Sequence, residues 1–99
     1  MAYEMLVGLK IKDAEVYQKY REAMYPILEQ FGGGFGYDFW IQETLRSKTP
    51  NPINRVFTIY FESKQSMDLF FSDPKYLEAK KRFFEESVEA TTIISQYQT

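Results

Sequence analysis

The stretch Arg55 to Glu62, RVFTIYFE, limits the fold more than any other, because it is a strand without a polar face. Alternation sorts it into Val56, Thr58 and Tyr60 on one side and Phe57, Ile59 and Phe61 on the other. An antiparallel sheet with one wet face reads hydrophobic-in and polar-out, so this strand needs cover on both sides. Two further candidates share the property. Tyr3 to Ile11 sets Met5, Val7, Leu9 and Ile11 on one face, yet Leu6 and Gly8 leave the other fairly apolar. Phe35 to Leu45 sets Phe35, Tyr37, Phe39 and Ile41 against Trp40 and Gln42.

Helical signals fill the gaps between these strands. Asp13 is placed to cap a helix, and Val16, Tyr17, Tyr20, Ala23, Met24, Ile27, Leu28 and Phe31 recur at steps of three and four. Gly32, Gly33 and Gly34 stop it, since glycine enters the left-handed region without a Cβ clash. Pro26 removes one donor and presses on the carbonyl of Glu22, which predicts a kink near Tyr25 or two short helices meeting there. Arg46 to Asn54, with Pro50, Asn51 and Pro52, predicts a loop. Ser63 can cap a short helix bearing Met67, Phe70 and Phe71, and Asp73-Pro74 restarts helix, with Tyr76, Leu77, Phe83, Phe84 and Val88 inward. Glu89 to Gln98 closes as a strand.

The order β-α-β-β-α-β predicts an α+β, ferredoxin-like fold: a four-stranded antiparallel sheet with both helices on one face. Residues 1–99 suit a single domain. Two helices cover one sheet face, so a second copy of the chain is expected on the other, making a homodimer through the sheet. Composition points the same way. A chain this short buries only roughly 60–70% of its unfolded surface, yet 44% of its residues are hydrophobic and 18% aromatic.

Charge and residue usage exclude several function classes. The net charge is −2 without a block of like charge, so nothing resembles a basic nucleic-acid footprint or an anionic-membrane surface. As an RNA-binding strand, Arg55 to Glu62 fails too: Val56 stands where that motif wants glycine and Ile59 where it wants an aromatic. No apolar run approaches the roughly 20 residues of a membrane span. Met1-Ala2-Tyr3-Glu4 lacks the basic and apolar regions of a signal peptide, and cysteine is absent; together these lead to an expectation of cytoplasmic location. Histidine is absent as well. That removes an imidazole general base and the usual zinc or haem ligand sets, so no metal is expected. Gly32-Gly33-Gly34 follows a helix instead of preceding one, which is turn chemistry and no phosphate loop; no cofactor is expected.

The segments Tyr17-x-x-Tyr20-Arg21, Pro26-Ile27-Leu28 leading into Gly32-Gly33-Gly34, Tyr37-Asp38-Phe39, Pro52-Ile53-Asn54-Arg55-Val56-Phe57 and Phe70-Phe71-Ser72-Asp73-Pro74-x-Tyr76 together resemble the domain of unknown function 1330 family. The resemblance spans nearly the whole chain. It implies the dimeric α/β-barrel superfamily, in which two ferredoxin-like protomers pack their sheets into one barrel. That superfamily holds cofactor-free monooxygenases, haem-handling enzymes, small isomerases, lactonases and ligand sensors, and the family itself implies no settled reaction.

Candidate chemistry gathers on seven residues. Arg55, entering its strand behind Asn54, offers a fork of donors for an anionic group, or holds the loop, or pairs with Glu43. Asp38 is a candidate acid or base if burial raises its pKa, or a structural partner of a helix cation such as Arg82. A hairpin register pairing Arg55 near Leu45 keeps Asp38 and Arg55 apart within one subunit. Tyr17, Tyr20, Tyr37 and Tyr60 can line a pocket between helix and sheet, or serve as core. The expected function is binding of a small organic molecule in that pocket. The alternative is a cofactor-independent monooxygenase, isomerase or lyase, with Asp38 and Arg55 as its catalytic candidates.

Overall fold

The computed structural model describes residues 2–99. Strand β1 (Tyr3–Ile11) leads into helix α1 (Ala14–Gln30), followed by β2 (Gly34–Trp40) and β3 (Arg55–Phe61). Two short helices come next, α2 (Lys64–Ser72) and α3 (Pro74–Ala79). A π-helical turn (Lys80–Phe84), a last helical turn α4 (Glu85–Ser87) and strand β4 (Val88–Gln98) complete the chain. The four strands form one antiparallel sheet in the order β2-β3-β1-β4, the expected ferredoxin-like arrangement.

Helices α1, α2 and α3 each begin where a side chain can satisfy free N–H groups. Asp13 accepts from the Val16 amide, Ser63 from Ser66, and Asp73 from both Lys75 and Tyr76, with Pro74 at the first position of α3. Helix α1 closes as the glycines require. The Gly33 amide donates to the Leu28 carbonyl and that of Gly32 to Glu29, while Gly32 sits at φ +73°. The expectation of two short helices meeting at Tyr25 is overturned: α1 is one helix with Pro26 inside it. Glu22 and Pro26 are both exposed, so water can reach the carbonyl that Pro26 leaves unpaired. Meanwhile Met24 and Leu28 fasten the turns on either side to the core.

One face of the sheet carries the core. Met5, Val7, Leu9 and Ile11 of β1 and Phe57, Ile59 and Phe61 of β3 pack beneath Tyr17, Tyr20, Met24 and Leu28 of α1 and Met67, Phe70 and Tyr76 of the second helical segment. On the far face the aromatic residues stay open, with Tyr37 at 66%, Phe39 at 52% and Tyr60 at 39% exposure. Ile53 is the exception that covers backbone there: a Cβ on Gly8 would stand 2.9 Å from its Cδ1, so any larger residue at position 8 would push Ile53 aside.

Strand β2 departs from expectation twice. It ends at Trp40 instead of Leu45, and the connection to β3 is the whole of residues 41–54. It also carries a β-bulge: Phe35 pairs with Ile59 and Asp38 with Phe57, so Gly36 and Tyr37 together oppose Thr58. The Thr58 hydroxyl accepts from the Tyr37 amide at 2.8 Å, satisfying a donor that the bulge takes out of the ladder. Past the bulge the alternation reverses. Asp38 and Trp40 turn to the helix side with Phe35, while Tyr37 and Phe39 stack on each other with ring centres 5.9 Å apart. The single face of Phe35, Tyr37, Phe39 and Ile41 expected from strict alternation does not exist.

Candidate functional site

Between α1, the sheet and residues 71–84 lies a cavity of about 380 Å³, at the small end of the range typical of ligand pockets, about 300–1,000 Å³. Its walls are mostly apolar, from Met5, Val7, Leu9, Met24, Phe57 and Ile59 among others. Its polar groups are few: the phenols of Tyr17, Tyr20 and Tyr76, the guanidinium of Arg21, Lys80 and the exposed rim residue Thr91. Tyr17, Tyr20, Arg21 and Met24 come from one stripe of α1, where steps of three and four return side chains to the same face. Lys80 and Phe84, the first and last residues of the π-helical turn, supply part of the opposite wall.

The phenols are held neutral. Burial pushes the Tyr17 hydroxyl up from its ordinary value, against the lowering pull of Arg21. Tyr20 and Tyr76 share a buried hydrogen bond of 2.9 Å between hydroxyls. Burial raises both of their pKa values, Tyr20 strongly so. At physiological pH these groups donate or accept hydrogen bonds but do not act as anionic bases.

Beside the cavity stands a charge network that the expected register ruled out. Because β2 stops at Trp40 and its bulge turns Asp38 inward, Trp40 pairs with Arg55 and Asp38 with Phe57. Arg55 then binds Asp38 bidentately, at 2.7 and 2.8 Å, and Arg21 Nη1 donates to the same carboxylate at 3.1 Å. The pairing of Arg55 with Glu43 and that of Asp38 with Arg82 are thereby replaced. Partial burial pushes the Asp38 pKa up, but the hydrogen bonds and charges of Arg55 and Arg21 outweigh it and hold the carboxyl below its ordinary value. A raised, proton-shuttling Asp38 is thus not what the structure contains.

The two guanidiniums lie against aromatic faces. Arg21 sits 3.9 Å from the Phe35 ring centre and 4.7 Å from Phe57, and Arg55 sits 4.5 Å from Trp40. Arg21 Nε donates to the Tyr17 hydroxyl at 2.8 Å. Its Nη2 is buried with no hydrogen-bond partner among the described residues.

Of the residues expected to bind a ligand, Tyr17 and Tyr20 line the cavity, and Arg55 stands behind it through Asp38. The other three lie elsewhere. Tyr37 and Tyr60 are on the opposite sheet face, Tyr60 lying over Gly34. Asn54 spends its side-chain amide on β1, its Oδ1 accepting from the Ile11 amide and its Nδ2 donating to the Ile11 carbonyl. Arg21, Tyr76, Lys80 and Phe84 were absent from the expected set. Arg21 had a legible signal, a lone charge four residues after Tyr17 inside the apolar stripe of α1. Among the described residues no three His, Cys, Asp or Glu side chains converge as a metal-binding group.

The family model for a domain of unknown function, DUF1330, matches residues 2–97. The chain belongs to the DUF1330 family. Its fold recurs in solved structures. A protein of unknown function from Rhodopseudomonas palustris superposes with a TM-score of 0.83 at 21% identity, covering 99% of this chain and 82% of that one. A dabb family protein with a ferredoxin-like fold from Mesorhizobium loti gives 0.64 at 14% identity, with coverage of 99% and 96%. A dimeric protein of unknown function with a ferredoxin-like fold from Bacteroides fragilis gives 0.63 at 15%, again with 99% and 96%. Comparison with curated proteins found no match. At these identities the DUF1330 chain shares a fold with its neighbours, and its chemistry has to be read from its own cavity.

Proposed function

We propose that this DUF1330 chain binds a small organic molecule in the cavity between α1, the sheet and residues 71–84. The supporting observation is the composition of the walls: a largely apolar lining into which a few phenols and one guanidinium are set, the usual form of a site that grips a ligand's body and orients one end. Tyr17, Tyr20, Arg21 and Tyr76 are the polar contacts, with Asp38 and Arg55 holding Arg21 in place. Catalysis is the second reading, and Arg21 beside the neutral Tyr17 phenol favours it in one form only, stabilisation of a developing oxyanion on a bound carbonyl compound. Binding is preferred because, among the described residues, neither a carboxylate nor a histidine lines the cavity.

The same proposal includes a homodimer of single-domain protomers joined through the open sheet face, where Tyr37, Phe39 and Tyr60 lie exposed. The Bacteroides fragilis neighbour, which is dimeric, supports this. The chain has no cysteine that would need an oxidising compartment, which agrees with a cytoplasmic site of action.

Ligand-observed NMR with a panel of small aromatic and alicyclic compounds tests the binding reading, comparing the wild type with Thr91→Trp. Thr91 is an exposed rim residue, so the indole should block the cavity without disturbing the core. Saturable binding that Thr91→Trp weakens by about tenfold or more is expected. Equal binding by both forms would remove the cavity from consideration.

A further inference from the structure

A guanidinium carries five N–H donors, and a buried donor without a partner is rare in folded proteins. Arg21 spends Nε on Tyr17 and Nη1 on Asp38, and leaves Nη2 buried and unpaired. The charges nearby do not cancel either. Arg21 and Arg55 share the single carboxylate of Asp38, which leaves one positive charge in excess. Lys80 adds a second cation to the lining, and no carboxylate lines the cavity.

The phenols add donors. In the Tyr20–Tyr76 pair one hydroxyl proton makes the shared bond, and the other remains free to donate. Tyr17 accepts from Arg21 Nε and keeps its own proton. A cation would meet Arg21 and Lys80, and a neutral hydrocarbon would leave their charge uncompensated. Inorganic phosphate would satisfy the donors but leave the apolar walls uncovered.

We infer that the ligand of this cavity is an organic anion, an apolar body bearing one carboxylate or comparable acid group, held by the excess positive charge that Arg21 and Lys80 bring to the lining. The inference rests on the cavity-binding reading above and names the ligand class for that site. Tyr17 and the Tyr20–Tyr76 pair supply further hydrogen bonds, and the apolar walls hold the body. Asp38 acts as a positioning residue, since it fixes Arg21 and lowers the charge that the ligand meets.

The test uses benzoate, cyclohexanecarboxylate and 1-naphthoate, each with its primary amide, titrated calorimetrically at neutral pH. Wild type, Arg21→Met, Asp38→Asn and Thr91→Trp are compared, with circular dichroism as the check on folding. At least one acid should bind about tenfold or more tightly than its amide in the wild type. Arg21→Met should abolish that preference and keep amide binding. Asp38→Asn, which removes the competing anion, should strengthen the acid severalfold and leave the amide unchanged. A merely structural Asp38 would shift acid and amide together. Amides that match their acids in the wild type overturn the anion assignment while the cavity reading stands. Binding of acid and amide alike that Thr91→Trp leaves untouched, or no binding of any compound, defeats the cavity reading and the assignment with it. Should Arg21→Met fail to fold, an unaltered acid-to-amide ratio in Asp38→Asn overturns the assignment on its own.

Discussion

Arg55 holds Asp38 by both carboxylate oxygens, Nε lying 2.7 Å from Oδ1 and Nη2 2.8 Å from Oδ2. Arg21 reaches Oδ2 from α1, so a single carboxylate joins β2, β3 and α1 at the side of the cavity. The pair also closes the long connection of residues 41–54 at its base, where the Ile41 amide donates to the Asn54 carbonyl.

Asp38→Asn should therefore destabilise the protein by roughly 1–2 kcal/mol at neutral pH, the worth of charge-assisted hydrogen bonds discounted for partial exposure. The folded-state pKa of Asp38 lies below its unfolded value of about 3.9, so its contribution is present above that value. It is lost as pH falls from there through the lower folded value. Urea midpoints at pH 7 and near pH 3 check this: the gap between wild type and Asp38→Asn should narrow in acid. A gap that is constant with pH would mean that the carboxylate's charge contributes nothing.

Tyr20→Phe and Tyr76→Phe should each cost about 1–2 kcal/mol, because either change leaves the other hydroxyl buried and unpaired. The double variant should cost less than the two costs added together, with a coupling of roughly 0.5–1.5 kcal/mol in a double-mutant cycle by urea unfolding. Alkaline pH adds a second readout. The folded pKa values of these phenols are raised by burial, so stability should decline as pH climbs past the unfolded value of about 10. The double Phe variant should show less of that decline.

Asn54 makes two bonds to the backbone of Ile11, and its two simplest replacements separate them. Asn54→Ala should lose about 2 kcal/mol and the hydrogen-exchange protection of the Ile11 amide. Asn54→Asp should retain much of that protection, since a carboxylate still accepts from the amide, yet remain destabilised because it faces the Ile11 carbonyl without a donor. Equal protection in both variants would contradict the geometry.

The open sheet face predicts an assembly. Phe39→Lys places a charge at the middle of the exposed aromatic patch and should shift the protein from a dimer to the 11.8 kDa monomer in sedimentation velocity. Stability measured at low concentration should change little, because Phe39 makes no part of the core. A wild type that sediments as a monomer at high micromolar concentration would refute the dimer.

Much of the fold was legible because local chemistry and tertiary structure agree. Asp13, Ser63 and Asp73-Pro74 start helices and Gly32 ends one, each through a bond within three or four residues of itself. Pro26 does not divide α1, because the cost of a missing donor depends on whether its carbonyl partner meets water, and sequence does not show that Glu22 is exposed. The site was legible only in part. Tyr17 and Tyr20 follow from helical spacing, but Asp38 and Arg55 meet through a bulge whose only signature is the lone Gly36 and through a strand end that nothing in FGYDFWIQETL marks. Thr58, whose hydroxyl accepts the displaced amide, looks in the sequence like any strand threonine.

That extra residue at Gly36-Tyr37 gives the edge strand a reading frame. Deleting either position would iron out the bulge and leave residues 38 to 40 on their present faces, whereas keeping both in a regular ladder would turn a carboxylate and an indole outward and a phenylalanine into the space beside Arg21. Bulge and facing are thus one chemical variable: a relative that pairs the same residues here without the bulge would present a different surface to any bound molecule.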